Sequence, residues 1–170
     1  MKKAFVFDFD DTLATTDCRV LVRRPNGRGT RGLPVRRLTP TEFNADQLAE
    51  GEEYDFSEFG SEKFIREAKP TFLINLAQEV HREGHAVYVL TARHDSVANA
   101  ITDFLLGFGV KPVRVFGVGG VADKVDIAEE KQKVLTTLCQ AFDLVYFYED
   151  HRDNCELAHM LGSGIKVYLV

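Results

Sequence analysis

The chain has 170 residues, 45% of them hydrophobic, and a formal net charge of −5 at pH 7, which fits one globular domain with its own core. Its three cysteines are scattered without metal-binding spacing, and no apolar stretch approaches the length of a membrane span. The composition therefore argues against a disulfide scaffold, a zinc site and an integral membrane protein. We expect one domain over residues 1–170, a cytoplasmic location and no membrane partner.

The first predicted element is a buried strand that begins at Phe5 and ends in carboxylates. Its aromatic and β-branched residues suit a strand that is buried on both faces. Asp8 and Asp10 are two residues apart, so at a strand end they project to the same side. Carboxylates that close repel each other unless a cation offsets their charge, and Mg²⁺ prefers such oxygen ligands. The sequence thus predicts a metal site with Asp8 as nucleophile. Thr12 places a hydroxyl in the following loop, where it can fix the backbone and is expected to bind substrate.

A β-hairpin with a basic tip is predicted next, because residues 18–24 and 35–38 are typical of short strands and residues 25–32 form turns. Seven arginines and no acid occur in residues 19–37, which leaves 14 of the 21 Lys and Arg against 26 acidic residues. Two interpretations stay open. The hairpin is either a solvated excursion that offsets the acidic body, or a flap that steers a phosphate-bearing substrate such as a nucleic-acid end. In the second case Arg23 and Arg24 would bind the substrate.

The remaining segments predict an α/β fold. Thr39 to Glu42 form a capping-box pattern, so a helix over about 40–47 is expected, followed by a loop with a little extended structure over 50–62. From Pro70 onward helical and strand patterns alternate, which implies a three-layer, Rossmann-like parallel sheet with helices on both faces. The predicted strands in this part are Ala86–Leu90, Val113–Phe116, Leu144–Tyr148 and Ile165–Leu169.

Further polar residues follow these strands, where the carboxyl ends of a parallel sheet hold ligands. Thr91 and Arg93 end one strand, and Glu149 and Asp150 end another. The Thr91 hydroxyl can donate to an anion. Arg93 can add a bidentate contact to that anion, or pair with Asp95 on the surface.

A phosphoryl-transfer site also needs a cation that holds the nucleophile and the phosphate together. We favour Lys131, at the start of a predicted helix, over Lys133 and Lys124. His94 and His151 follow the strand ends and could line the site or be exposed. The glycines of residues 117–120 are expected to form a plain loop, because no helix pattern starts directly after them.

These motifs resemble the haloacid dehalogenase-like (HAD) phosphohydrolase superfamily. Asp8 to Leu13 (Asp-Phe-Asp-Asp-Thr-Leu) resembles its first motif, Leu90 to Arg93 its second, Lys131 its third, and Tyr146 to Asp150 its acidic fourth. The order and spacing cover nearly the whole chain. The pattern also resembles small phage and bacterial members related to polynucleotide 3′-phosphatase domains.

The resemblance implies a Mg²⁺-dependent phosphatase. Asp8 would form an aspartyl-phosphate, and Asp10 would act as acid and then base. The Asp8 and Asp150 side chains and the Asp10 carbonyl would hold Mg²⁺, while Thr91 and Lys131 would hold the phosphoryl oxygens. Glu149 departs from the family by standing where Asp is frequent, which leaves direct or water-mediated support of the metal open.

The resemblance also bears on the substrate. Residues 14–69, hereafter the insert, fall where the family places a cap, but they are too few for a full helical cap. The open site this implies would admit a bulky substrate, such as a nucleic-acid 3′-phosphate or a nucleotide. A small phosphorylated metabolite is the alternative substrate. A catalytically silent nucleic-acid-binding protein is a further alternative. A signalling receiver domain is disfavoured, because Gly117 rather than Asp follows the strand that ends at Phe116.

Overall fold

The computed structural model describes residues 1–24, 33–119 and 126–170. The predicted turn 25–32, with Arg28 and Arg31, and the segment 120–125, with Lys124, lie outside the described residues. The strands, in chain order, are β1 (Lys3–Phe7), β2 (Ala14–Thr15), β3 (Val20–Arg23), β4 (Pro34–Leu38), β5 (Glu53–Asp55), β6 (Lys69–Pro70), β7 (Ala86–Thr91), β8 (Arg114–Gly117), β9 (Leu144–Glu149) and β10 (Ile165–Leu169). The α-helices are α1 (Pro40–Ala45), α2 (Glu62–Arg66), α3 (Leu73–Arg82), α4 (Ala98–Gly107), α5 (Ile127–Ala141) and α6 (Arg152–His159).

The main sheet confirms the predicted α/β fold. Five parallel strands lie in the order β10-β9-β1-β7-β8. In the paired register Phe7 of β1 lies beside Val89 of β7 on one side and Tyr148 of β9 on the other. The chain builds the sheet outward from β1 through β7 and β8, then returns to add β9 on the opposite side of β1. The order of strands therefore reverses between β1 and β9, and ligands bind at such a point in open parallel sheets.

The core forms on both faces of this sheet, because successive side chains of a strand point to opposite faces. Phe5 and Phe7 of β1 pack on one face with α3 and α4, while Ala4 and Val6 pack on the other with α5 and α6. All four side chains are buried. The apolar character of the opening strand follows from this two-sided burial.

The insert leaves the sheet through a short antiparallel pair, in which Ala14 of β2 lies beside Pro70 of β6. The predicted β-hairpin is present as β3 and β4, and β5 adds a third strand beside β3. Val20, Val22 and Leu38 form a small core of their own beneath partly buried aromatic rings.

The elements of the insert match the sequence patterns unequally. Helix α1 begins with the predicted capping box, since the Glu42 amide donates to Thr39 Oγ1 (3.2 Å) and the Thr39 amide donates to Glu42 Oε2 (2.7 Å). Residues 50–62 are predicted as a loop with a little extended structure. They contain β5 as that extended part, and in addition a 3₁₀ turn over Ser57–Gly60 and the start of α2. Pairing of β5 with β3 and full burial of Ile65 support these short elements, so tertiary contacts rather than local periodicity define them.

None of the helices within the described ranges has the length and apolarity needed to cross a membrane.

Candidate active site

Three carboxylates meet where β1 and β9 end, at the point where the strand order reverses. Asp8 follows β1, Glu149 ends β9 and Asp150 follows it, and one oxygen from each lies within 4.8 Å of the others. Asp8 and Glu149 are buried, whereas Asp150 is exposed. The Asp8 amide donates to the carbonyl of Tyr148 (2.9 Å), which extends the β1–β9 ladder by one residue and fixes the Asp8 backbone.

Lys131 supplies the cation of this cluster. Its Nζ donates to Asp8 Oδ1 (2.7 Å) and to Glu149 Oε2 (2.6 Å), and its side chain is 2% exposed. Burial alone would lower the pKa of Lys131, but attraction to Asp8 and Glu149 outweighs it and raises the pKa above the ordinary value. Lys133, by contrast, is exposed and pairs with Glu130 on its own helix.

Helix α5 holds Lys131 in its second turn. The helix is capped by Asp126, whose carboxylate accepts from the amides of Ala128 (3.0 Å) and Glu129 (3.1 Å). Leu135 and Leu138 pack this helix on the sheet, which directs Lys131 toward the ends of β1 and β9.

The charges of the cluster do not balance without a further cation. Burial raises the pKa of Asp8 well above the ordinary carboxyl value, against the opposing attraction of Lys131. Partial desolvation and the neighbouring Glu149 raise the pKa of Asp150 to about 7. One ammonium thus faces three close carboxylates, which favours either a bound proton or a divalent cation. An all-oxygen donor set of this kind fits Mg²⁺.

Asp10 lies beside this cluster, but its side chain is engaged elsewhere. Arg93 holds both carboxylate oxygens, through Nη2 to Oδ1 (2.7 Å) and Nε to Oδ2 (2.8 Å). Thr16 also donates to Asp10 Oδ1 (2.9 Å). The surface partner considered for Arg93 is Asp95, but the structure pairs the guanidinium with Asp10.

Arg93 is an almost fully buried guanidinium that joins the main sheet to the insert. Beyond Asp10 it donates to the carbonyl of Phe59 (2.8 Å) and contacts Cys18 Sγ (3.2 Å), and it lies 5.3 Å from the centre of the Phe59 ring. Attraction to Asp10 outweighs desolvation and raises the pKa of Arg93 above its ordinary value. These contacts suit a residue that orients Asp10 better than one that reaches substrate directly.

The predicted hydroxyls are both buried at the same edge of the sheet. Thr91 ends β7, and its Oγ1 accepts from the Arg93 amide (3.2 Å). Thr12 Oγ1 is buried and has no hydrogen-bond partner among the described residues, so it can serve a ligand. Asp11 adopts a left-handed backbone conformation (φ 59°), as expected of a turn residue, and its amide donates to Ala14 (2.8 Å).

The glycine-containing loop after β8 supports the loop after β7. The amides of Val118 and Gly119 donate to the carbonyls of Thr91 (3.0 Å) and Arg93 (3.1 Å). A Cβ at Gly119 would overlap the carbonyl oxygen of Ala92. The glycine is thus needed for a close approach of two backbones.

The two histidines near the strand ends have local roles. His94 is exposed, and its Nδ1 accepts from the amide of Ser96 at the start of a 3₁₀ turn. His151 is exposed as well, and its amide donates to Glu149 Oε1 (3.1 Å).

A cavity of about 300 Å³ lies between the loop after β1 and the insert. Its lining residues are Asp10, Asp11, Thr16, Cys18, Arg19, Thr39 and Phe59. Some of the insert residues that line the cavity lie up to about 50 positions from Asp10 in the chain. No sequence pattern therefore connects them with Asp10. Sequence reasoning therefore missed Thr16, Cys18, Arg19 and Phe59.

The basic stretch of the insert is extensively paired with acids. Arg23 and Arg24, which are predicted to bind substrate, pair with Asp55 (2.5 Å) and Glu52 (3.3 Å) of the insert. Two further pairs follow the same scheme, Arg36 with Asp46 and Glu52, and Arg37 with Glu58. The carboxylates within residues 46–58 thus form ion pairs with arginines that precede them in the chain.

Comparison with known proteins defines the fold. No protein-family model matches the sequence, and no curated protein matches it. Solved structures do match, among them three hydrolases or domains of the HAD type with TM-scores of 0.50 to 0.54. A subfamily IA hydrolase from Geobacter sulfurreducens has 14% identity and a TM-score of 0.54, over 98% of this chain and 88% of that one.

The other two are similarly distant. The HAD domain of an effector protein from Legionella pneumophila has 14% identity and a TM-score of 0.53, over 100% of this chain and 86% of that one. A haloacid dehalogenase-like hydrolase from Streptococcus pneumoniae has 16% identity and a TM-score of 0.50, over 98% of this chain and 83% of that one. The chain therefore has the fold of the haloacid dehalogenase-like hydrolases.

Proposed function

We propose that the protein is a Mg²⁺-dependent phosphatase that hydrolyses phosphomonoesters through an aspartyl-phosphate on Asp8. The observation that supports this most strongly is the Asp8 carboxylate itself. It is buried, Lys131 holds its Oδ1, and it lies in a cluster with Glu149 and Asp150 at the reversal point of the sheet. A carboxylate held at one oxygen by a buried ammonium has its other oxygen oriented for attack.

The proposed reaction has two displacements at phosphorus. Asp8 Oδ2 attacks the phosphorus, and the bond from phosphorus to the leaving oxygen breaks as Asp10 gives that oxygen a proton. Asp10 then takes a proton from water, and the water oxygen displaces Asp8 to release inorganic phosphate. Arg93 and Thr16 fix the orientation of Asp10. In this proposal Lys131, Thr91 and Thr12 donate hydrogen bonds to the phosphoryl oxygens, and the Lys131 ammonium also offsets their negative charge.

The residues at this edge also fit a magnesium ion. The Asp8 and Asp150 side chains and the Asp10 carbonyl are the proposed ligands, with Glu149 as a further carboxylate of the cluster. When bound, Mg²⁺ would offset the charge of the carboxylates and of the transferred phosphoryl group. The carboxylate cluster and its uncompensated charge support this assignment.

A nucleotide or a nucleic-acid 3′-phosphate is the substrate class we favour over a small phosphorylated metabolite. The supporting observation is the cavity beside Asp10, whose wall comes from the loop after β1 and from the insert and contains the cation Arg19. A catalytically silent binding protein is less consistent with a buried Asp8–Lys131 pair, because maintaining buried charge is costly without a use for it.

Hydrolysis of p-nitrophenyl phosphate by purified protein tests the proposal. Activity should require added Mg²⁺, disappear with EDTA, and fall by at least about three orders of magnitude in Asp8→Asn. The matched control is Asp103→Asn, the same change at an exposed position of α4, which should keep wild-type activity. Wild-type turnover by Asp8→Asn would refute the assignment of the nucleophile.

A further inference from the structure

Arg19 differs from the other arginines of the basic stretch whose side chains the structure describes. Four of them are ion-paired with carboxylates of the insert, namely Arg23, Arg24, Arg36 and Arg37. Arg19 makes no ion pair with any carboxylate in the described parts of the chain. Its Nη1 donates to the carbonyl of Cys18 (2.8 Å), and the Arg19 amide donates to Glu58 Oε2 (2.9 Å). The side chain is therefore oriented. Its charge attracts the carboxylates of Asp11 and Glu42 from a distance, but it is not held in an ion pair by any acid of the described residues.

Arg19 also occupies a junction between two depressions of the surface. It lines the cavity that contains Asp10 and Asp11. It equally lines an adjoining, more open groove of about 460 Å³. The other residues of this groove are Asp17, Arg37, Lys63, Phe64 and Glu67. Arg19 is the lining residue that the cavity and the groove share, so it is the cation nearest to a ligand that extends from one into the other.

The groove is lined by positively charged side chains and by the aromatic ring of Phe64. Lys63 is exposed on α2 and forms no ion pair within the described ranges, and the half-buried ring of Phe64 lies next to it in the chain. Asp17 and Glu67 offset part of the positive charge. The groove is thus suited to a discrete anionic group beside Arg19 and Lys63, rather than to general attraction of a polyanion.

We propose that Arg19 binds a second phosphate of the substrate, on the leaving-group side of the phosphate that Asp8 attacks, with Lys63 as the next cation along the groove. This proposal rests on the proposed phosphatase function. Asp10 and Asp11 line the same cavity and would repel a second phosphate. A substrate with two phosphates therefore needs the Arg19 guanidinium in this cavity to offset that repulsion. A guanidinium matches phosphate through two parallel hydrogen bonds. The second phosphate comes either from a nucleoside 3′,5′-bisphosphate or from the phosphodiester next to an oligonucleotide 3′-phosphate.

Three thymidine probes test the proposal, each with the same 3′-phosphate as the group to be removed. Thymidine 3′-monophosphate has no second phosphate, thymidine 3′,5′-bisphosphate has a second monoester, and 3′-phosphorylated dithymidylate has a diester. We expect wild-type kcat/KM to be at least about tenfold higher for one of the two probes with a second phosphate. The better of these two identifies the source of that phosphate. In Arg19→Gln the preference should fall to about twofold or less.

The matched control is Arg66→Ala, which removes a positive charge from the same helix as Lys63, at an exposed arginine paired with Glu62. This variant should retain the wild-type preference. Thermal unfolding of Arg19→Gln, compared with wild type, verifies that the variant is folded. Arg19→Lys should recover part of the preference, because it restores the charge but not the fork of donors.

Results that would refute the role of Arg19 differ from results that would refute the proposed phosphatase function. The role of Arg19 is refuted if wild-type protein hydrolyses thymidine 3′-monophosphate as well as it hydrolyses both probes with a second phosphate, or if Arg19→Gln keeps the preference. It is also refuted if p-nitrophenyl phosphate is hydrolysed in an Asp8-dependent manner and none of the thymidine probes is. The phosphatase proposal itself is refuted if none of these compounds releases phosphate in an Asp8-dependent manner.

Discussion

At the scale of single residues, the site depends on one buried ammonium between two buried carboxylates. Lys131 lies within hydrogen-bond distance of both Asp8 and Glu149, and all three side chains are almost fully buried. Removing one partner from such a group leaves an uncompensated charge in a medium of low polarity. Lys131 therefore supports folding as well as the proposed chemistry.

Lys131→Met should lower the free energy of unfolding by about 3 kcal/mol at pH 8 in the absence of metal. The loss should be smaller at pH 5.5, because protons then neutralise the buried carboxylates. Urea unfolding at both pH values measures the difference. Lys133→Met, at an exposed position two residues away, should change stability by less than about 0.5 kcal/mol at either pH. An equal loss at both pH values would contradict this electrostatic origin.

The response to magnesium should depend on pH through Asp150. Its pKa of about 7 in the folded, metal-free protein lies above the ordinary value of 3.8. The folded protein therefore holds more protons than the unfolded chain between these values, and this contribution to stability is lost as pH rises through 7. Because Mg²⁺ replaces the proton, the rise in melting temperature with Mg²⁺ should be larger at pH 8 than at pH 6. Asp150→Asn should reduce this difference, and a larger rise at pH 6 would be inconsistent with it.

The sequence predicted site residues that directly follow strands. It did not predict contacts between residues that are far apart in the chain. Asp8, Thr91, Lys131 and Asp150 could be proposed because each lies at the end of a strand or the start of a helix with a clear period. The pairing of Arg93 with Asp10 joins residues 83 positions apart. No local pattern encodes such a contact, and the same is true of Arg19 beside Asp10.

At the scale of elements, the loops after β7 and β8 depend on a close approach of their backbones. Gly119→Ala should destabilise the protein by about 1–3 kcal/mol, because the added methyl group would overlap the carbonyl of Ala92. It should also lower activity by moving Thr91 and Arg93. Gly107→Ala is the matched control, since its Cβ would meet nothing within 4 Å and it lies in a helix, where alanine is favoured by about 0.5–1 kcal/mol. Chemical denaturation measures both variants, and equal stability of the two would be a contrary result.

Arg93 connects the insert with Asp10, the proposed acid–base residue. Arg93→Lys should lower kcat by about tenfold or more, because a lysine cannot hold both oxygens of Asp10 in a fixed plane. Hydrogen exchange should also increase near Phe59, whose carbonyl accepts from Arg93. Arg82→Lys, at an exposed position of α3, provides the control for the change of residue type. Normal kcat in Arg93→Lys would show that Asp10 is oriented without this contact.

The elements of the insert could be predicted only where local chemistry defines them. The capping box at Thr39 and Glu42 forms as the sequence predicts, and the β3–β4 hairpin is present. Strand β5 and helix α2 have three and five residues, which is too short for a hydrophobic period to emerge. Their stability comes from contacts with β3 and with the core around Ile65.

At the scale of the whole molecule, the strand order determines where the charged residues of the candidate site meet. The reversal between β1 and β9 brings the two acidic strand ends side by side. The parallel sheet itself could be predicted, because its strands are strongly apolar and alternate with amphipathic helices. The net positive charge of residues 19–37 was a poorer guide, because acids from residues 46–58 pair with those arginines in the folded chain.

The central claim is that Asp8 carries the phosphoryl group, and chemical trapping tests it most directly. Protein that is turning over p-nitrophenyl phosphate with Mg²⁺ is quenched and treated with borohydride, which reduces an aspartyl-phosphate to homoserine, and its peptides are analysed by mass spectrometry. We predict homoserine at position 8, dependent on both substrate and Mg²⁺, and unmodified aspartate at positions 10 and 11. Homoserine at another position, or steady hydrolysis with no modification of Asp8, would contradict the proposed mechanism.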